Sequence, residues 1–159
     1  MRRIITPFIM LSLLLTGCSA LPYAHQIDKT VLMEVLGVDA GVGETVTVTA
    51  ASGARPGDQE PLVLSAQAGT ISVACADMGE RGEDFVFFGD VEQVLVGEEE
   101  AQRGLESLLG HMAHDPELRL EAELWVVRGA EAADLLLEAG EGESLPDRLS
   151  AMSRNAELL

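Results

Sequence analysis

Two hydrophobic periods alternate along this chain of 159 residues, and a sequence that switches between them must build both strands and helices. Glu44 to Ala51 sets Thr against Val with period two, the mark of a strand. Thr30 to Val38 reads as a second strand, joined to it through a turn at Gly41 and Gly43, and an antiparallel hairpin is the simplest pairing. Ser52 to Pro61 carries Gly53, Pro56, Gly57 and Asp58 and reads as an exposed loop, after which Leu62 to Ala66 resumes a strand. The period then changes. Ile71, Ala74, Cys75 and Met78 follow i, i+3, i+4, i+7, which predicts a short helix with Thr70 as N-cap and Gly79 as its end. Phe85 to Phe88 and Val91 to Val96 read as one kinked strand or two joined tightly around Gly89 and Asp90.

The clearest helix is predicted over Glu98 to Ala113, where Ala101, Leu105, Leu108, Leu109 and Met112 keep one apolar stripe and three glutamates crowd the positive end of the dipole. Asp115 and Pro116 stop it. Leu120 to Val127 predicts a half-buried strand with Leu120, Ala122, Leu124 and Val126 inward. Trp125 then falls on the solvent side, as contact area or packed under a neighbouring helix. Ala130 to Ala139 predicts another helix, Gly140 to Glu143 a hinge, and Leu145 to Leu159 a helix through Leu149, Met152 and Ala156 with no clear partner. These elements describe an α/β (α+β) fold, a mixed sheet carrying two to four helices in one domain.

The N-terminus determines where that domain resides. Arg2 and Arg3 precede an apolar run from Ile4 to Leu15, and Thr16 and Gly17 are small enough for cleavage before Cys18. An ordinary signal peptide and a short transmembrane helix are the alternatives, but the run falls short of the ~20 apolar residues a bilayer core needs and contains Pro7. The pattern resembles the lipobox of bacterial lipoproteins. That resemblance implies a diacylglyceryl group on the Cys18 thiol, which becomes the mature N-terminus. The chain divides into a signal peptide at 1–17, a lipidated tether at 18–29, an α/β domain at 30–139, and a hinge with a helical tail at 140–159.

With a formal charge of −17, the chain makes a poor partner for nucleic acid or anionic headgroups, so membrane contact is expected through the lipid. The chain has two cysteines; lipidation of Cys18 would leave Cys75 unpaired, either as a reactive thiol or as a small buried hydrophobe among its apolar neighbours. His111, His114 and Asp115 form the one cluster with metal-like spacing, yet the histidines are three apart and lack the glutamate of a zincin. The alternative is that both cap the negative end of their helix. Neither a phosphate loop nor a G-x-S-x-G elbow is present, and the abundant carboxylates single out no acid/base pair. Neither catalysis nor a cofactor is expected.

Phe87, Phe88 and Gly89, the Val-rich strand to Gly97, the Glu98 to Leu109 segment with Ala101 and Gly104, and Asp115-Pro116-Glu117-Leu118-Arg119 before a strand ending near Gly129 form a recognisable order. It resembles the Ger(x)C family, the lipoprotein C subunits of spore germinant receptors in endospore-forming Firmicutes. Ile27 with Asp28, Gly37 to Asp39, and the Asn155 to Glu157 tail extend the likeness. The chain departs from it at Asp90, where the family carries a basic residue or His, and in length, since members continue into further domains. The resemblance implies a lipid-anchored subunit on the outer face of the cytoplasmic (inner spore) membrane. Its partners would be the integral-membrane A- and B-type receptor subunits, one of them transporter-like and thought to hold the germinant. A stand-alone ligand-binding lipoprotein is the second reading, and a metal enzyme built on His111 and His114 the third.

Overall fold

The computed structural model describes residues 29–53, 61–81, 84–119, 121–138 and 145–156. Strand β1, Thr30–Ala40, carries an irregularity that decides which side chains reach the core. Val31 and Met33 point into the larger apolar cluster, and strict alternation would send Val35 after them. The register shifts between Met33 and Val35, so Leu36 and Val38 continue into that cluster while Val35 turns to the opposite face.

Strand β2, Val46–Ser52, pairs antiparallel with β1, as the Gly41–Gly43 turn predicts, and β3, Val63–Ala68, pairs antiparallel with β2. Ser52 and Gly53, read from sequence as the start of an exposed loop, are buried, since β2 extends through Ser52. Most of the remainder of that loop lies outside the described residues. The aromatic and Val-rich runs resolve into two strands, β4, Phe85–Phe87, and β5, Gln93–Gly97. Both run parallel to β1, β4 beside its first residues and β5 beside Val35 to Val38. With β6, Glu123–Val127, parallel to β5, the sheet has the order β3-β2-β1-β5-β6, with β4 paired on β1.

Helices cover both faces. Helix α1, Ile71–Arg81, buries the expected Ile71, Ala74, Cys75 and Met78, and the Val73 N–H donates to Thr70 Oγ1 at 3.3 Å. It runs past Gly79, because a mid-helix glycine costs only about 1 kcal/mol relative to alanine and the helix continues to Arg81. The single helix expected over Glu98 to Ala113 is two: α2, Glu98–Arg103, and α3, Glu106–His114. Gly104 sits between them at φ 117°, a backbone region that side chains with a Cβ avoid. The break splits the stripe. Leu108 and Met112 are buried against the larger cluster, whereas Leu109 is 52 % exposed.

Helices α4, Ala132–Glu138, and α5, Leu145–Ala156, bring the number among the described residues to five, one above the expected range because of that break. They supply Ala132, Leu136, Leu145 and Leu149 to a second cluster with Val35, Leu95 and Val127 on the other face. So the C-terminal helix, expected to lack a partner, has one. The cover also inverts β6. Leu124 and Val126 share the face of Val94 and Val96 but lie on the outer strand, 39 % and 50 % exposed, while Trp125 and Val127 join the second cluster. Both parities of β6 are apolar, so the helix that covers it decides which side is buried. Residues 140–143, read as a hinge, lie outside the described residues. Among the described residues no helix is long and apolar enough to cross a membrane.

Candidate functional site

The parallel strands β1, β5 and β6 bring Asp39, Gly97 and the approach to Gly129 to the same end of the sheet, where open α/β sheets gather ligands. A recess of about 650 Å³ lies there, lined by Asp39, Glu98, Gln102, Glu131 and Asp134 among others. Asp39 is only 2 % exposed, a position a carboxylate tolerates only when its oxygens are satisfied. The Ala132 N–H donates to Oδ1 at 2.7 Å and the Ala133 N–H to Oδ2 at 2.9 Å, so this carboxylate caps the start of α4. A Cβ on Gly97 would stand 2.2 Å from Asp39 Oδ1, and the missing side chain makes room for the carboxylate. Glu98 Oε2 similarly accepts from the Gly129 N–H at 3.1 Å. Both carboxylates thus accept from backbone N–H groups across the sheet end.

A second recess, of about 680 Å³, lies at Glu44, Thr45, Glu100, Arg103 and Glu106. The Arg103 guanidinium donates to the carbonyls of Gly41 and Thr45 at 3.4 Å and to Glu99 Oε1 at 2.9 Å, tying α2 to the β1–β2 turn. Glu100 is buried beside it. Its Oε2 has no hydrogen-bond partner, and Arg103 Nη1 stands 4.0 Å away. Burial pushes the Glu100 carboxyl above the ordinary glutamate range; Arg103 opposes the shift, and Asp39 and Glu99 add to it.

The histidines occupy a third recess, of about 440 Å³, where the first turn of α1 meets the last turn of α3. His114 Nδ1 donates to the Gly110 carbonyl at 2.8 Å, the C-terminal capping expected of it. His111 does something else. Its ring is buried between the helices, Nδ1 lies 2.9 Å from Ser72 Oγ, and Nε2 has no hydrogen-bond partner, 3.8 Å from Asp115 Oδ2. Burial holds the ring below the usual histidine range, with Asp115 opposing. In the neutral ring a proton on Nε2, toward Asp115, leaves Nδ1 to accept the Ser72 hydroxyl. Cys75 is buried, and burial together with Asp115 pushes its thiol up to about 12, so at neutral pH it packs as a hydrophobe.

Among the described residues no group of three or more His, Cys, Asp or Glu is placed to hold a metal ion. Trp125 is half-buried, and its Nε1 donates to Gln93 Oε1, settling it as packed. Cys18 lies outside the described residues. Sequence reasoning did not single out Asp39, Gly97 or Glu100 as interacting; the Gly-Val-Asp ending of β1 was the only signal, and it did not reveal the partners.

A family model described as the spore germination protein N-terminal domain matches residues 24–159, a span that includes every described element. The chain belongs to this family. The likeness read from the Phe-Phe-Gly and Asp-Pro-Glu-Leu-Arg segments is thereby shown, and with it a role in spore germination. These segments hold structural positions in the domain: Phe87 ends β4, Phe88 is buried in the larger cluster, and Leu118 closes it beyond α3. Arg119 pairs with Asp90 at 3.2 Å, tying the segment beyond α3 to the turn after β4. No match was found among curated proteins or among solved structures.

Proposed function

We propose that this germination protein is a lipid-anchored, non-catalytic subunit of a spore germinant receptor, held by Cys18 on the outer face of the cytoplasmic (inner spore) membrane. It acts in assembly or signalling, through contact with the integral-membrane A- and B-type subunits. The observation that carries the reading is the family match across residues 24–159. The sequence Leu15-Thr16-Gly17-Cys18 supports the anchor. The chemistry of the recesses supports action by contact, because the Asp39 and Glu98 carboxylates already serve backbone N–H groups and the Cys75 thiol is held protonated.

The test combines a fatty-acid label with capture of partners from the membrane fraction. The wild-type chain should incorporate the label and bring down the two membrane subunits, and Cys18→Ala should lose the label and leave the membrane fraction. Spores lacking the gene should respond poorly to one class of germinant yet germinate under a trigger that bypasses receptors. A wild-type response to every germinant, or an unlabelled wild-type chain, overturns the corresponding part of the reading.

A further inference from the structure

Helix α2 separates two acidic recesses, and one carboxylate oxygen beside the second is left without a hydrogen-bond donor. The Glu100 side chain is 9 % exposed, and its Oε2 has no hydrogen-bond partner. An ionised carboxylate in that position has no hydrogen-bond donor, and its one nearby counter-charge, Arg103, stands at the outer limit of an ion pair, which is costly to hold. Arg103 relieves it only in part. Its donors go to the Gly41 and Thr45 carbonyls and to Glu99, leaving Nη1 4.0 Å from Glu100.

We propose that the surface around α2 is a docking site for a lysine- or arginine-bearing segment of a partner polypeptide, with Glu100 as the buried acceptor for one basic side chain. Charge complementarity argues for that occupant. Glu44 and Glu106 line the Glu100 recess, and Glu98, Glu99, Glu131 and Asp134 line the recess across α2, while among the described residues Arg103 is the one basic residue lining either. The same acids exclude anions. A metal ion is a poor fit, since no group of three ligating side chains converges among the described residues. A small apolar ligand would want an apolar lining, which this is not. Two recesses of about 650 and 680 Å³ flanking one short helix suit an extended chain carrying separated positive charges. The inference goes beyond the receptor reading and does not depend on it.

The proposal has a proton signature. The groups that face Glu100 are Arg103 and Glu99 on its own helix, Asp39 from β1, Glu44 from the β1–β2 turn and Glu106 from α3. A bound ammonium adds positive charge to this mostly negative set, so it must draw the Glu100 titration downward. The full-length chain, labelled with ¹³C and held in detergent, should be titrated with acetyl-Gly-Lys-Gly-Lys-Gly-amide, with its norleucine counterpart, and with n-butylammonium. The lysine peptide should bind saturably, lower the pH at which the Glu100 carboxyl carbon titrates, and bind at least about tenfold more weakly to Glu100→Gln, a loss of roughly 1.4 kcal/mol. Glu80→Gln, on the exposed end of α1, should bind as the wild type does. Equal weakening by both substitutions would reduce the effect to general attraction by an acidic body and overturn the proposal. Butylammonium binding as tightly as the peptide would make this a site for small amines and overturn the polypeptide occupant. An unmoved Glu100 titration in the wild-type chain would overturn the proposal without reference to any variant.

Discussion

Asp39 and Ala132 lie 93 residues apart in the chain and are joined by one buried hydrogen bond of 2.7 Å, from the Ala132 N–H to the Asp39 carboxylate. Together with the Ala133 N–H, it fastens the end of β1 to the start of α4, so the helix that covers the second face is positioned by the first strand. Asp39→Ala leaves two helix-terminal donors without their acceptor, and the loss should be about 1–3 kcal/mol. Asp39→Asn keeps one acceptor oxygen and should cost less. Urea midpoints of the two variants against wild type check this order, and midpoints equal to that of wild type would mean that the cap contributes nothing.

Leu108 and Leu109 are adjacent on α3 and lie about 100° apart around its axis, one turned to the larger cluster and the other to the surface, 3 % and 52 % exposed. Leu108→Ala should cost ~2–5 kcal/mol, as buried leucine truncations do. Leu109→Ala should change stability by less than about 1 kcal/mol, in keeping with a half-exposed site. That contrast in denaturation midpoints tests the register of α3 directly. Comparable losses at the two positions would mean that the register of α3 is misplaced.

What was legible in the sequence depended on how far away the deciding contact lies. The Thr–Val alternation of β2 and the Ile71, Ala74, Cys75, Met78 stripe each express a local period, and both elements bury the side chains that their period selects. The Gly104 break was not legible, since a glycine inside an apolar helical pattern is compatible with continuing the helix, as Gly79 does within α1. Nor was the burial of β6, where Leu124 and Val126 alternate with Trp125 and Val127 and hydrophobicity alone favours neither face. Edge position and the cover from α4 and α5 decide it. The Asp39 cap and the His111–Ser72 bond join residues 93 and 39 apart, so no spacing rule could find them.

Two buried titratable groups should give stability a pH dependence of opposite sign. His111 is held below its ordinary 6.5 in the folded state, first by burial, so the unfolded chain binds its proton more readily. Its contribution is present above about pH 6.5 and lost as pH falls through that value toward the folded-state one. Glu100 is raised by burial, so its contribution is present below its ordinary 4.5 and lost as pH rises through the folded-state value. His111→Gln should therefore flatten the decline in melting temperature between about pH 7 and 5. Glu100→Gln should raise the melting temperature at neutral pH relative to wild type while leaving it nearly unchanged in acid. Parallel pH profiles for wild type and both variants would refute the burial of these groups.

The packing of α5 can be read through Trp125, the one tryptophan of the chain. Its indole N–H donates to Gln93 Oε1, and its ring lies against the cluster that Leu145 and Leu149 complete. Gln93 is itself 3 % exposed and donates to Glu123 Oε2 at 3.1 Å, so the polar end of the half-buried ring meets a buried partner. Leu149→Ala opens that cover, and the tryptophan emission should shift to longer wavelength with increased quenching by acrylamide. The global stability should fall by ~2–5 kcal/mol, lowering the midpoint, if α5 unfolds with the rest of the domain. A larger change in Trp125 quenching than in the midpoint would instead mark α5 as a locally opening unit. Met152→Ala, on the same helix but 58 % exposed, should leave the emission where it is. Unchanged emission in Leu149→Ala would mean that α5 does not shelter the ring and that the second cluster ends at α4.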